Sequence, residues 1–229
     1  MFTQDIDGDT ALHNAIILKD EETSIRLINL APTQAWLSSR NLLFQTPLHL
    51  AALTDQTHVL KHLIIAGADV TFRDKHGNTA LHIACRDGLV RVVETLLTPA
   101  PNLMPQHLWD GVQYQQEPPN FGIHNYDGLT CLHLAAVNKH LNIIETLVKY
   151  DINLNMKDLK TGKTILHGSC ERNDTELVSF LLRHRTCDIN ARTYCNSTPF
   201  DVARARSNIV ICEALAAAGA KYGQQSDSD

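Results

Sequence analysis

The chain is poor in aromatic residues, which make up 6 % of its 229 positions. Its core must therefore come from aliphatic side chains, and with 44 % hydrophobic residues there are enough of them. It has six cysteines, Cys85, Cys131, Cys170, Cys187, Cys195 and Cys212, but no Cys-x-x-Cys. That excludes the common zinc and dithiol frameworks. It has no signal peptide and no apolar run long enough to cross a bilayer, so a reduced cytosolic or nuclear setting is expected. There is no Gly-x-Ser-x-Gly, no P-loop and no Gly-x-Gly-x-x-Gly. Nothing argues for an enzyme or a cofactor. The net charge of −5 leaves no nucleic-acid footprint on the chain as a whole.

Repetition is what the chain has instead. His76 to Cys85 reads HGNTALHIAC, and variants recur as GDTALHNA, QTPLHLA, GLTCLHLA, GKTILHGS and NSTPFDVA. Their threonines are Thr10, Thr46, Thr79, Thr130, Thr164 and Thr198, spaced by 36, 33, 51, 34 and 34. Each element of the motif has a physical use. Gly77 allows a positive φ in a tight turn, and Thr79 can cap a helix. Pro47 fits the first helical position, where its missing N–H costs nothing. A Thr-Pro-Leu-His-x-Ala motif with a period near 33 resembles the ankyrin repeat. The fold expected is all-α, a solenoid of six helix-turn-helix repeats whose β-turn or hairpin fingers project between them.

The repeats fall near 5–40, 41–73, 74–98, 123–157, 158–191 and 192–222, one domain over 1–222. Trp36 sits in a slightly long joint after repeat one and is expected to fill it. Residues 99–122 insert about 18 positions rich in Pro, Gln and Asn. A surface loop is expected there, with a short turn near Gln106 to Gly111, tacked down by Met104, Leu108, Trp109 and Tyr114. Gly168 and Ser169 replace an apolar residue and Ala, which should loosen the fifth inner helix. The last residues, 223–229, read as an acidic disordered tail.

Twelve histidines invite a metal reading, but His13, His49, His82, His133 and His167 occupy one slot in five repeats. They should be spread along the stack rather than converge on an ion. Charge is uneven. Asp5, Asp7, Asp9, Asp20, Glu21 and Glu22 stand against Lys19 alone, an excess equal to the net charge of the whole chain. This is either a solvated end cap or an acidic docking site. A solenoid of this kind binds through its fingers and inner helices, so the residues themselves point to protein–protein interaction.

The departures from a generic repeat are more specific. Asp7 to Ile17, Gln45 to Ala51, Arg73 to His82, and Asn125 to Gly128 with Thr130 to Ala135 resemble repeats of the inhibitor-of-kappa-B (IκB)/Cactus family. The resemblance covers roughly 5–220 and includes the interruption after repeat three. It implies a cytoplasmic protein, shuttling to the nucleus at most, that inhibits Rel/NF-κB dimers without touching DNA or membrane. By that resemblance Asp7 and Asp9 pair with the basic nuclear-localisation segment, and Asp20, Glu21 and Glu22 extend the field. Tyr126 and Tyr194 would face the dimerisation domains. No Asp-Ser-Gly-x-x-Ser and no long acidic tail are found, so a trimmed or naturally signal-insensitive form is expected. Asn190 resembles a target of the asparaginyl hydroxylase that modifies ankyrin repeats, beside its plainer use as a turn residue. The alternatives are a nuclear Rel cofactor on the same scaffold, or an ankyrin adaptor with another partner.

Overall fold

The computed structural model describes residues 3–99 and 120–221. The expected inner turn, the tacking residues of the insertion and the acidic tail lie outside them. Among the described residues there are thirteen helices and no strand. Repeat one pairs α1 (Ala11–Ile17) with α2 (Glu21–Asn29), and α3 (Gln34–Leu37) fills the joint that follows. Repeat two pairs α4 (Pro47–Leu53) with α5 (Thr57–Ile65), and repeat three pairs α6 (Ala80–Asp87) with α7 (Val90–Leu97). Beyond the insertion come α8 (Cys131–Val137) with α9 (Leu141–Lys149), α10 (Ile165–Glu171) with α11 (Thr175–Arg183), and α12 (Pro199–Ala205) with α13 (Ile209–Ala217).

The threonines start every inner helix. Each is extended at the N-cap and takes part in a capping box with the residue three positions on. That residue is His in five repeats and Asp201 in the sixth. Nine residues past each threonine the chain turns back through a positive φ, at Lys19, Asp55, Gly88, Lys139, Asn173 and Ser207. Only Gly88 is a glycine. Asp20 and Asp174 then cap α2 and α11 through their side chains.

Inner helices carry the core. Leu48, Ala51, Ile83, Ala84, Leu132, Ala135 and Leu166 are sealed from solvent and continue into Val59, Val92, Ile143 and Leu177 of the outer helices. In the joint, Leu37 rather than Trp36 is buried; Trp36 is half-exposed. The reason is α3 itself, which turns Leu37 inward and lays Gln34 against Gly67 at the exit of α5. Ser38 Oγ accepts from Asp69 N there.

The insertion leaves the stack in register. α6 packs on α8 as inner helices do elsewhere. Tyr126 N donates to His76 O at 3.0 Å and Asn125 Nδ2 to Asn78 Oδ1 at 2.9 Å. His140 Nε2 reaches Arg86 O at 3.0 Å and lies against Gly88.

Candidate partner-binding surface

Each finger is a turn clamped by its own first side chain. Asp5 Oδ1 accepts from Asp7 N and Asp9 N, and Asn41 Oδ1 from Leu43 N and Gln45 N. Asp74 does the same for His76 N and Asn78 N, and Asn125 for Asp127 N and Leu129 N. Finger five is one residue longer, and Asp158 holds it with both oxygens, accepting from Lys160 N, Thr161 N and Lys163 N. In finger six Thr193 Oγ1 accepts from Ser197 N. An Asx or Thr side chain closing a turn in this way replaces bonds the backbone cannot make to itself.

Backbone bonds then join the fingers into one row: Leu42 N to Asp7 O, Lys75 N to Leu43 O, Tyr126 N to His76 O, Leu159 N to Gly128 O and Tyr194 N to Thr161 O, all near 3.0 Å. Two residues before each threonine the φ is positive: Gly8, Gly77, Gly128 and Gly162, but Phe44 (φ +58) and Asn196 in fingers two and six. The tips are apolar and exposed. Ile6, Leu42, Phe44, Tyr126, Leu159 and Tyr194 all stand in solvent on this ridge.

Beneath it runs a ladder of imidazoles. Thr10 Oγ1 meets His13 Nδ1 at 2.8 Å, and His13 Nε2 meets Gln45 O at 3.2 Å. The same pair of contacts links Thr46–His49 to Asn78, Thr79–His82 to Ile123, Thr130–His133 to Lys163 and Thr164–His167 to Ser197. Nε2 donates to the carbonyl, and Nδ1 accepts from the backbone N–H of the capping threonine, so each ring is neutral. Burial pushes all five below the ordinary imidazole range, His82 to about 4. These are structural bridges, one in each of the first five repeats. Among the described residues no group of three or more His, Cys, Asp or Glu is placed to hold a metal ion. Burial also raises the thiols of Cys85, Cys170 (to about 12) and Cys187 (to about 11), away from reactivity.

The acidic residues singled out by sequence divide into two places. Asp7 is exposed on finger one, and Asp9 beside it accepts from Asn41 Nδ2 at 2.9 Å. Asp20, Glu21 and Glu22 begin α2, at the other end of α1, a helix length of about 10 Å away. Asp20 caps Thr23 N; the Thr23 hydroxyl and, after it, this backbone N–H hold its carboxyl below the usual range, and Glu21 pairs with His58. Tyr126 (68 % exposed) and Tyr194 (60 % exposed) do share a face. Each lays its ring over the glycine of the preceding finger, Gly77 and Gly162 respectively. Asn190 lies near the far end, its Oδ1 accepting from Lys221 N at 2.8 Å.

Sequence reading missed the cleft between fingers two, three and four. It encloses about 440 Å³ lined by Arg40, Phe44, Phe72, Arg73, Lys75 and Tyr126, with Asp69, Thr71 and Asp74. One signal was there to be found: Phe44 stands where four other copies have Gly.

The model for ankyrin repeats in three copies matches residues 26–107 and 48–158, and a single ankyrin repeat matches 161–194. The ankyrin repeat domain of Bcl-3, described as a member of the IκB protein family, superposes with a TM-score of 0.82 at 30 % identity, covering 94 % of this chain and 88 % of that one. The chain belongs to the IκB-like ankyrin-repeat proteins. NF-κB inhibitor alpha of Gallus gallus is 39 % identical over 210 residues, 91 % of this chain. NF-κB inhibitor cactus of Drosophila melanogaster is 35 % identical over 241 residues, 100 % of this chain. This IκB-like chain spans 62 % and 48 % of those two relatives' lengths.

Proposed function

We propose that this IκB-like chain binds Rel/NF-κB dimers along its fingers and inner helices, and retains them in the cytoplasm by covering the nuclear-localisation segment and the dimerisation domains. The observation that carries this reading is the ridge. Six exposed apolar tips, from Ile6 to Tyr194, sit on turns that are clamped individually and bonded in a row. Exposed apolar groups concentrated on one edge of a solenoid mark a docking face, and a preformed one loses little entropy on binding. Asp7 and Asp9 on finger one are suited to the basic localisation segment. Asp20, Glu21 and Glu22, a helix length away, act on it only through a field that salt screens over about 8 Å. Tyr126 and Tyr194 meet the dimerisation domains.

The test is titration into a Rel dimer that carries its localisation segment, repeated with Asp7→Asn plus Asp9→Asn. Binding on the order of nanomolar, weakened by the double substitution and by salt, supports the reading; no binding ends it and leaves an adaptor for another partner. The alternative on the same scaffold is a nuclear cofactor that accepts DNA-bound Rel. Release of labelled DNA on adding this chain selects the inhibitor, and a stable ternary complex selects the cofactor. Asn190 is proposed as a hydroxylation site on the same scaffold; intact mass without one added oxygen after exposure to the hydroxylase would dismiss it.

A further inference from the structure

The cleft between fingers two, three and four has a chemistry opposite to that of the chain around it. Arg40, Arg73 and Lys75 converge on it, and none of the three forms an ion pair among the described residues. The two carboxylates in its wall are already occupied. Asp69 Oδ1 accepts from Thr71 N and Thr71 Oγ1, and Asp74 Oδ1 clamps its own finger. Those hydrogen bonds come from neutral groups and leave both carboxylates charged, so three cations against two anions give the lining a net charge of +1, in a chain whose net charge is −5.

Its floor is aromatic. Phe72 lies under the Arg40 guanidinium, 4.3 Å from ring centroid to Cζ, a stacking that holds the cation in place and leaves its edge free to pair. Tyr126 is fixed against Gly77. Phe44 is 52 % exposed, at a left-handed position that four other fingers give to glycine. A bulky residue half in solvent in that conformation carries a backbone cost that Gly would not. Such strain is retained where the side chain is used.

We infer that this cleft receives an acidic segment of a protein partner, one aromatic side chain of which lies between Phe44, Phe72 and Tyr126 while the flanking carboxylates pair with Arg40, Arg73 and Lys75. The inference rests on the reading of the finger ridge as the docking face and names the chemistry of its middle. A partner that follows the ridge thus meets acid at finger one and base at fingers two and three, so a segment basic at one end and acidic at the other can lie on it in one direction only.

The probe is a labelled hexapeptide of Glu and Asp with one central Phe, followed by anisotropy against the full chain, beside control peptides with Lys for the acids or Ala for the Phe. Saturable binding of the first alone is expected, weakened at least fivefold by Arg73→Glu with Lys75→Glu, and at least fivefold by Phe44→Gly. The Phe44→Gly chain is expected to unfold at a higher temperature than the parent, so its weaker binding cannot come from misfolding. Absent binding of the acidic peptide, equal binding of the Lys peptide, or indifference to both variants overturns the inference. Rel dimers separate it from the broader reading. If the cleft variants leave tight Rel binding unchanged, the acidic-segment inference fails and the Rel reading stands. If the peptide binds but no Rel dimer does, the cleft stands and the Rel reading fails.

Discussion

Phe44 and Gly77 occupy the same place in successive fingers and show what that place demands. The conformation, φ +58 in one and +78 in the other, suits glycine and costs an L side chain about 1 kcal/mol. Phe44→Gly should therefore stabilise the fold by about 1 kcal/mol in urea unfolding, while removing a side chain from the docking face. Gly77→Ala should do the reverse. A Cβ there would stand 2.6 Å from Tyr126 N and 2.7 Å from its ring, so backbone must move as well as adopt the strained φ. A loss of about 2 kcal/mol or more is expected; a midpoint within error of the parent would contradict it. The glycines were legible in the sequence as turn formers. Their close approach to Tyr126 and Tyr194 was not, because nothing in one repeat says which ring of the next will lie on it.

At the scale of the element, periodicity carried most of the information. Thr–x–x–His marks the start of all but the last inner helix, and the exits at Gly67 and Gly88 are where glycine suggests them. Of the other turn-backs, Asp55 and Asn173 are residue types that tolerate a left-handed turn, whereas Lys19, Lys139 and Ser207 do not announce one. The joint helix α3 is too short to leave a periodic trace, which is why Leu37 was overlooked for Trp36. The finger clamps were missed for a different reason. Asp5, Asn41, Asp74, Asn125, Asp158 and Thr193 read as solvated polar residues until their backbone partners are seen. In α10, Gly168 faces only the mobile end of Arg172, whose Nη1 would be 3.0 Å from an added Cβ. Gly168→Ala should stabilise the chain by up to about 1 kcal/mol through helix propensity. Thermal unfolding of that variant measures it, and a drop in midpoint would mean that Arg172, bonded to Ala136 O, cannot give way.

For the molecule as a whole, the five buried imidazoles set a dependence on pH. Their folded values lie below the unfolded value near 6.5, so the unfolded chain binds more protons as pH falls. Stability from this source is complete above pH 6.5 and is lost on acidification towards about 4, the value of His82. Each ring can contribute a slope of up to about 1.4 kcal/mol per pH unit within that window. Chemical denaturation at pH 7.5, 6 and 5 should give steadily lower midpoints, and a flat profile would refute the neutral-ring assignment. Every one of those rings also ties its own repeat to a carbonyl of the following one. In a one-dimensional stack such links are the nearest-neighbour couplings that make unfolding concerted. Acid enters at the other ring nitrogen: once Nδ1 is protonated it no longer accepts from the threonine N–H of its own repeat, while Nε2–H still donates to the next repeat. The loss thus falls inside each repeat and not on the links, so unfolding at pH 5 should stay concerted, with amide exchange rising in all five histidine-bearing repeats together.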